Sequence, residues 1–244
     1  MKLRHYLRLS TIAVVACASA LGCTVGTQSA LAAVPPDAAA SSTTAQTVAP
    51  APAPRAPRAP IYLTFDDGPF PAQTKRLLKV LERNGVQATF FVLGQLAAQH
   101  PEVVQMEKAA GHAIGNHTWD HRDLTRLSTS GIRRELVRGG RGIRSATGVT
   151  PRCMRPPYGA TNASVRSVNR SLHLKQVLWD VDTNDWRLPS TNTLVRRLMS
   201  ARPGDVVLMH DGGGNRSRSI AAVARALPRM IKRGDQFAPV QACL

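Results

Sequence analysis

TFDDGP, residues 64–69, is the stretch that decides the fold. It closes an apolar run, residues 61–65, with the adjacent carboxylates of Asp66 and Asp67 and a Gly-Pro turn. A short apolar run that ends in turn residues predicts a buried β-strand. Side chains alternate between the two faces of a strand, so neighbouring aspartates at its end can take different tasks, one binding a metal and the other handling a proton. Gly and Pro also favour an Asp-rich turn for purely local reasons. This motif alone does not distinguish a functional site from such a turn, so a second motif is needed.

The second motif is NHTWDH, residues 116–121, which places His117 and His121 four positions apart. If the segment makes one helical turn, both imidazoles reach a single point. Together with Asp67 they would form a three-ligand set that leaves coordination positions open for water and substrate, as in catalytic zinc sites. One divalent ion is therefore predicted, Zn²⁺ first, with Co²⁺ or Ni²⁺ as alternatives because these ions accept the same ligands. The histidine spacing alone is common on solvated surfaces, so the prediction rests on its combination with Asp66 and Asp67.

The first sixty residues are typical of an exported protein. Residues 1–33 combine a basic start, a short apolar core and small residues near position 31, the pattern of a signal peptide whose core is too short to span a bilayer. Lipoprotein processing at Cys23 is a second, weaker interpretation. Residues 34–60 are rich in Ala, Pro, Ser and Thr and predict a linker. We therefore expect a secreted protein, free or associated with the cell wall, without a transmembrane segment.

Residues 61–244 are long enough for one catalytic domain with a substantial core. This segment carries 27 basic and 14 acidic side chains, a net charge of +13, which favours polyanionic partners. Nucleic acid is disfavoured because the few aromatic residues are not grouped as a stacking platform and because a signal peptide precedes the domain. In an exported protein the expected polyanions are cell-wall polymers or anionic lipid surfaces, and the domain is expected to be a monomer.

Two cysteines, Cys153 and Cys243, belong to the domain. In an exported chain they suggest a disulfide that ties the C-terminus to the segment before Arg155. The alternative is a pair of buried thiols.

Apolar runs alternate with helical patterns along the domain. Strands are predicted at residues 61–65, 88–93, 112–116, 175–179, 205–209 and 236–240, with a further short strand before Arg155. Helices are predicted at residues 73–84, 101–110, 128–147, 162–171, 191–201 and 217–232. This alternation implies parallel strands with helices outside, in a barrel or an open doubly wound sheet. Six polar residues then follow strand ends and would share one face, where active sites form in parallel barrels: Asp66, Asp67, His117, Asp182, Asp185 and His210.

Three further motifs complete the pattern: RPPYG at residues 155–159, DTNDW at 182–186 and LMH at 208–210. Taken singly, each has an ordinary structural explanation. The five motifs together, in this order, resemble the polysaccharide deacetylase family, the NodB homology domains of carbohydrate esterase family 4, across residues 61–244. The resemblance implies a distorted (β/α) barrel, expected to be seven-stranded. It also implies metal-dependent removal of acetyl groups from N-acetylglucosamine polymers such as peptidoglycan, chitin or chitooligosaccharides. The partner that the resemblance implies is therefore an acetylated cell-wall or extracellular polysaccharide.

The resemblance also implies a role for each motif residue. The metal ligands are Asp67, His117 and His121. The catalytic residues are Asp66 as general base, His210 as general acid, Arg155 beside Asp66 and Asp185 beside His210. The substrate-binding residues are Tyr158, whose backbone N–H would bind the oxyanion, Pro156 in the same rigid turn, and Trp186 with Leu208 around the acetyl methyl group.

Two other functions stay open at this point. The same motifs would serve an acetylxylan esterase acting on O-acetyl groups, and the basic surface alone would suit a non-catalytic cell-wall binding protein. Three other histidines of the domain lack a partner motif and are interpreted as structural or surface residues: His100, His112 and His173.

Overall fold

Residues 58–244, which the computed structural model describes, contain seven β-strands in one parallel sheet. The strands are β1 (Tyr62–Asp66), β2 (Thr89–Val92), β3 (Ala113–Asn116), β4 (Cys153–Met154), β5 (Lys175–Gln176), β6 (Val181–Asp182) and β7 (Val206–His210). The helices are α1 (Pro71–Arg83), α2 (Gly94–Gln99), α3 (Pro101–Ala109), α4 (Thr129–Thr147), α5 (Ala163–Ser171), α6 (Thr191–Met199) and α7 (Ser217–Arg233). Four 3₁₀ turns are Leu124–Arg126, Pro157–Gly159, Asp185–Arg187 and Gln241–Cys243. The predicted signal peptide, Cys23 and nearly all of the predicted linker lie outside the described residues.

The strand order is β5-β4-β3-β2-β1-β7-β6, and every neighbouring pair is parallel. Within residues 58–244 the two end strands, β5 and β6, do not pair with each other, so the curled sheet stays open on that side. Strand β1 lies near the middle, between β2 and β7. The prediction of a distorted, seven-stranded (β/α) barrel is confirmed.

One predicted strand is wrong, although the number of strands is right. Residues 236–240 form only an isolated bridge between Phe237 and Ile61, and the seventh strand is the short β6. Pro239 has no backbone N–H to continue a ladder, which limits this segment to a single bridge.

A second predicted strand, residues 175–179, ends after Gln176. The next two carbonyls, of Val177 and Leu178, accept hydrogen bonds from the guanidinium of Arg155 at 3.3 and 3.0 Å. Because these backbone groups hold a buried side chain, the segment leaves the sheet early.

Helix ends follow local chemistry. Pro71 and Pro101 begin α1 and α3 at the position where the missing N–H costs nothing. Side-chain oxygens of Ser128, Asn162 and Ser190 accept from the exposed N–H groups that start α4, α5 and α6. Helix α2 was not expected from the sequence, because six residues are too few for a helical period to show.

A large apolar core lies between the sheet and the surrounding helices and includes Phe65, Phe90 and Leu81, all buried. A disulfide joins Cys153 of β4 to Cys243, which confirms the proposed pairing. It anchors the last turn of the chain to the strand that leads into Arg155. None of the helices in residues 58–244 combines the length and apolar character that crossing a bilayer requires.

Candidate metal centre and active site

The carboxyl ends of the central strands meet around a cavity of about 510 Å³. Asp66 and His210 are the last residues of β1 and β7 and stand opposite each other in the sheet register. His117 directly follows β3. The cavity is lined by Asp66, Asp67, His117, His121, Pro156, Tyr158, Gly159, Trp179, Asp182, Trp186, Leu208, His210, Gly213 and Arg216. The parallel arrangement has therefore brought all five motifs to one place.

Asp67, His117 and His121 direct one ligand atom each toward a common point, all within 4.8 Å of one another. Asp67 Oδ1 lies 3.4 Å from His117 Nε2 and 3.2 Å from His121 Nε2. Metal bonds of about 2.0–2.1 Å at a tetrahedral angle would place ligand atoms roughly 3.3–3.4 Å apart. Asp67 Oδ1 is buried and has no hydrogen-bond partner among residues 58–244. An orphaned carboxylate oxygen between two imidazole nitrogens at this spacing fits a divalent cation.

The protonation states of these groups also suit metal binding. His117 Nδ1 lies 2.8 Å from the carbonyl oxygen of Arg155, which can only accept, so Nδ1 carries the proton and Nε2 presents its lone pair to the site. Burial, together with repulsion from His117, lowers the pKa of His121 below its ordinary value. Burial alone would raise the pKa of Asp67, but its contact with His117 and the nearby imidazoles outweigh burial and hold the pKa well below its usual range. Metal binding would require both imidazoles to be neutral, and the set would then be two neutral imidazoles and one carboxylate.

The two histidines converge without the helical turn that the sequence analysis assumed. Residues 117–121 form an irregular loop in which Thr118 and His121 have left-handed φ angles of 74° and 66°. A β-branched residue rarely adopts this conformation. The Thr118 N–H donates to Asn116 Oδ1, and the Thr118 hydroxyl accepts from the His121 N–H. These local hydrogen bonds, rather than helix periodicity, aim both rings at Asp67.

Asp67 and Tyr158 also have left-handed φ angles, 70° and 61°. Such strained residues are concentrated at functional sites, where the surrounding structure holds them in place. Gly213 shows how closely the site is packed, since a Cβ there would collide with Asp67 Oδ2.

Asp66 is buried beside the metal position and is oriented by Arg155. Arg155 Nη1 donates to Asp66 Oδ1 at 2.8 Å and to the Thr64 hydroxyl at 2.7 Å. The guanidinium is 0% exposed and stacks on the ring of Phe91 at 4.1 Å. With Oδ1 engaged, Asp66 Oδ2 is left facing the site, 3.8 Å from His117 Nε2. The predicted proximity of Arg155 and Asp66 is therefore observed.

His210 forms a second charged pair on the opposite side. Its Nδ1 donates to Asp185 Oδ1 at 2.6 Å, which leaves Nε2 for the cavity. Asp185 Oδ2 accepts from the His210 backbone N–H at 3.1 Å and from the Ser219 hydroxyl at 2.6 Å. Burial alone would lower the pKa of His210, but the hydrogen bond and charge of Asp185 outweigh it and raise the pKa above its ordinary value.

The four predicted substrate-binding residues all line the cavity. Leu208 and Pro156 form buried parts of its wall, whereas Trp186 and Tyr158 are 49% and 70% exposed at its mouth. The Tyr158 N–H makes no hydrogen bond to another group within the described chain and is available to a ligand.

Several supporting residues were missed by sequence reasoning. Thr64 lies two positions before Asp66, on the same face of β1, and this alternation could have identified it. Ser219 and Arg216 left no comparable signal, because they come from the loop and helix after β7. Arg216 donates to the carbonyls of Gly212 and Gly213 at 2.7 and 2.9 Å and so shapes the loop against Asp67.

His100, His112 and His173 lie outside the cavity. His112 is buried, its Nδ1 accepts from the Ala88 N–H at 3.1 Å, and burial lowers its pKa to about 4. It is a neutral structural residue, as expected. His112 also borders a larger groove of about 700 Å³ between α1 and α3, which contains none of the motif residues.

Comparison with known proteins finds relatives that belong to one family. The family described as polysaccharide deacetylase matches residues 53–177. A chitooligosaccharide deacetylase of Bradyrhizobium sp. is 37% identical over 193 residues, which cover 74% of this chain and 88% of the relative. A peptidoglycan-N-acetylglucosamine deacetylase of Listeria monocytogenes is 36% identical over 181 residues, 74% of this chain but 38% of that longer protein.

Among solved structures, a family 4 carbohydrate esterase from Streptomyces lividans in complex with acetate superposes with a TM-score of 0.71. It is 38% identical, and the match covers 75% of this chain and 94% of that one. The parallel seven-stranded sheet, the motif residues at its carboxyl edge and these similarities agree. The chain belongs to the polysaccharide deacetylase family.

Proposed function

We propose that this protein is a secreted, metal-dependent polysaccharide deacetylase that hydrolyses the N-acetyl groups of N-acetylglucosamine polymers, either peptidoglycan or chitooligosaccharides. The observation that carries the proposal is the convergence of Asp67, His117 and His121 on one point, with the carboxylate of Asp66 beside it. The relatives named above, which deacetylate peptidoglycan or chitooligosaccharides, support the substrate class.

Asp67, His117 and His121 would hold the cation, and Zn²⁺ suits this ligand set best. A divalent ion bound there supplies Lewis-acid chemistry, by lowering the pKa of a water and polarising the acetyl carbonyl. The protein groups then have to take one proton, stabilise one negative oxygen and return one proton.

Asp66 takes the proton from the attacking water through Oδ2, because Arg155 occupies Oδ1. Arg155 acts as a positioning residue that holds the carboxylate through its hydrogen bond to Oδ1. The negative oxygen that forms on the acetyl carbon is bound by the Tyr158 N–H, and one preorganised donor of this kind contributes about 3 kcal/mol.

His210 donates the returning proton to the nitrogen of the sugar as the amine leaves. Burial opposes protonation of His210, but the hydrogen bond and charge of Asp185 outweigh burial and raise its pKa, which favours the protonated form that an acid catalyst needs. Trp186 and Leu208 border the space where the acetyl methyl group would lie.

Export is part of the same proposal. Residues 1–33 have the composition of a signal peptide, and the Cys153–Cys243 disulfide is of the kind that persists in oxidising compartments outside the cytoplasm. We propose that the mature domain works as a monomer on extracellular polysaccharide, and gel filtration of the purified domain tests the monomer.

The substrate class is tested by measuring acetate release from chitooligosaccharide, peptidoglycan and acetylxylan side by side, with zinc added. We expect release from one or both N-acetylglucosamine polymers at least about tenfold faster than from acetylxylan. A reversed preference would make the protein an acetylxylan esterase, and no release from any polymer would favour a binding protein.

Replacing His210 by alanine should affect amide and ester substrates differently. An amine leaves poorly without a proton, so we expect kcat on N-acetylated oligosaccharide to fall about 10²-fold or more. An activated aryl acetate, whose leaving group needs no proton, should lose less than about fivefold. Equal losses on the two substrates would exclude His210 as the acid.

A further inference from the structure

A second cavity adjoins the active site. It has a volume of about 560 Å³, within the range of about 300–1,000 Å³ in which small molecules bind, and it shares His121 and Tyr158 with the first cavity. These two rings are in edge contact, with centroids 4.7 Å apart, and form the partition between the cavities. The rest of its lining is Arg122, Asp123, Arg126 and Leu127. A polymer whose acetamide reaches the metal position can therefore extend over Tyr158 into this cavity.

The cationic character of the second cavity comes mainly from Arg122. Asp123, the acidic residue of the lining, is already engaged, since its Oδ2 pairs with Arg126 Nε at 3.2 Å and its Oδ1 accepts from the Thr125 hydroxyl and N–H. Arg126 is thereby largely compensated. Arg122 is exposed and forms no ion pair or hydrogen bond with any other residue in the described part of the chain. The neighbouring acidic residue Asp120 lines neither cavity.

The opposite side of the active site carries different exposed side chains. There Arg187 stacks on the Trp186 ring, 4.6 Å from its centroid, and both side chains are exposed. That side offers an indole face to a neutral sugar ring. Within the described residues Arg187 also forms no ion pair, but it lines neither cavity, whereas Arg122 lines the second one. The fork of an arginine suits a carboxylate, with which it can form two parallel hydrogen bonds.

We propose that the second cavity is a subsite in which Arg122 binds a carboxylate carried by the sugar next to the N-acetylglucosamine being deacetylated. This inference rests on the proposed function and names a substrate class for it: acidic glycan strands are preferred over neutral ones. The anion has to belong to the same strand, because the two cavities are separated only by the His121 and Tyr158 rings. The net charge of +13 on residues 61–244 would assist the approach of such a strand.

The test uses two tetrasaccharides of equal length. One alternates N-acetylglucosamine with a sugar that carries a lactyl ether carboxylate, and the other is neutral chitotetraose. Arg122→Gln removes the charge, and Arg229→Gln is the matched control, an exposed arginine in the later turns of α7, which run away from the carboxyl edge of the sheet. Total acetate release gives kcat/KM for each combination of protein and tetrasaccharide.

We expect Arg122→Gln to lower kcat/KM on the acidic tetrasaccharide about fivefold, the effect of one partly exposed ion pair. On chitotetraose the change should stay below about 1.5-fold, and Arg229→Gln should change neither value. The preference of the unaltered enzyme for the acidic strand should weaken between 50 mM and 500 mM salt, because exposed charges are screened. Equal effects of Arg122→Gln on both oligosaccharides, or no effect on either, would overturn the subsite.

A direct binding measurement separates this inference from the proposed function. Calorimetric titration of the zinc-loaded Asp66→Asn variant, with and without Arg122→Gln, reports binding of the acidic tetrasaccharide with little turnover. If neither oligosaccharide releases acetate, the proposed function is wrong. The subsite would then still be supported by a fivefold weaker Kd for Arg122→Gln, and an unchanged Kd would exclude it.

Discussion

Replacement of Asp66 by asparagine is expected to lower kcat for acetate release about 10³-fold, with bound zinc unchanged. The ligand atoms belong to Asp67, His117 and His121, and none of them is altered. An amide cannot take a proton from water, and general bases contribute about 10²- to 10⁴-fold. Acetate release and metal content, both measured on the same preparation, check this prediction.

The variant needs one structural control. Asp66 is the ion-pair partner of Arg155, which is fully buried, and breaking a buried pair costs about 3–5 kcal/mol when nothing replaces the lost partner. Asparagine retains a carbonyl oxygen that can accept from Arg155 Nη1, so we expect a smaller loss of stability. Thermal unfolding with zinc present establishes whether the variant is folded at the assay temperature. A folded, zinc-loaded variant with near-normal turnover would remove Asp66 as the base.

Loss of the metal is expected to have the largest effect. Dialysis against a chelator should reduce acetate release to below about 1% of its starting value, and zinc should restore it, because a bound divalent ion would lower the pKa of the attacking water and no side chain in the described site can replace that effect. Co²⁺ and Ni²⁺ should also restore activity to some degree, since they accept imidazole and carboxylate ligands.

His121→Ala tests the ligand set itself. His121 is the more exposed of the two imidazoles, so its removal should disturb folding less than removal of the buried His117. We expect bound zinc to fall below about 0.1 equivalents and kcat to fall about 10³-fold at micromolar zinc. His100→Ala is the matched control, because it removes an imidazole that lies outside the cavity. Full zinc binding by His121→Ala, or full activity of chelator-treated protein, would overturn the metal site.

Much of the site could be predicted because its chemistry requires particular residue types at strand ends. Asp66 closes β1 and Asp67 follows it, His210 closes β7, and the carboxyl ends of parallel strands meet at one edge. Spacing arguments were less reliable. The expected helical turn at His117 and His121 is a loop, because two left-handed residues and the Thr118 hydrogen bonds bring the rings together instead.

Contacts between residues far apart in sequence could not be predicted. The Ser219 hydroxyl donates a hydrogen bond to Asp185, 34 positions away in sequence, and Arg155 donates one to Thr64, 91 positions away. The early end of β5 follows from the same arginine, which takes the carbonyls of Val177 and Leu178 away from the sheet. No local pattern encodes such bonds, since each depends on where a distant element packs.

By itself, the amino-acid sequence determined the alternation of strands and helices and the polar residues at the strand ends, and its five motifs, through the family resemblance, indicated a distorted (β/α) barrel. Hydrophobic periodicity and the residue types that a metal site requires are both visible in short segments of sequence. The tertiary structure alone decided the tautomer of His117, the orientation of Asp66, the hydrogen-bond partners of Asp185 and the cationic cavity beside His121. These features depend on distances and burial between segments that only the packed chain brings together.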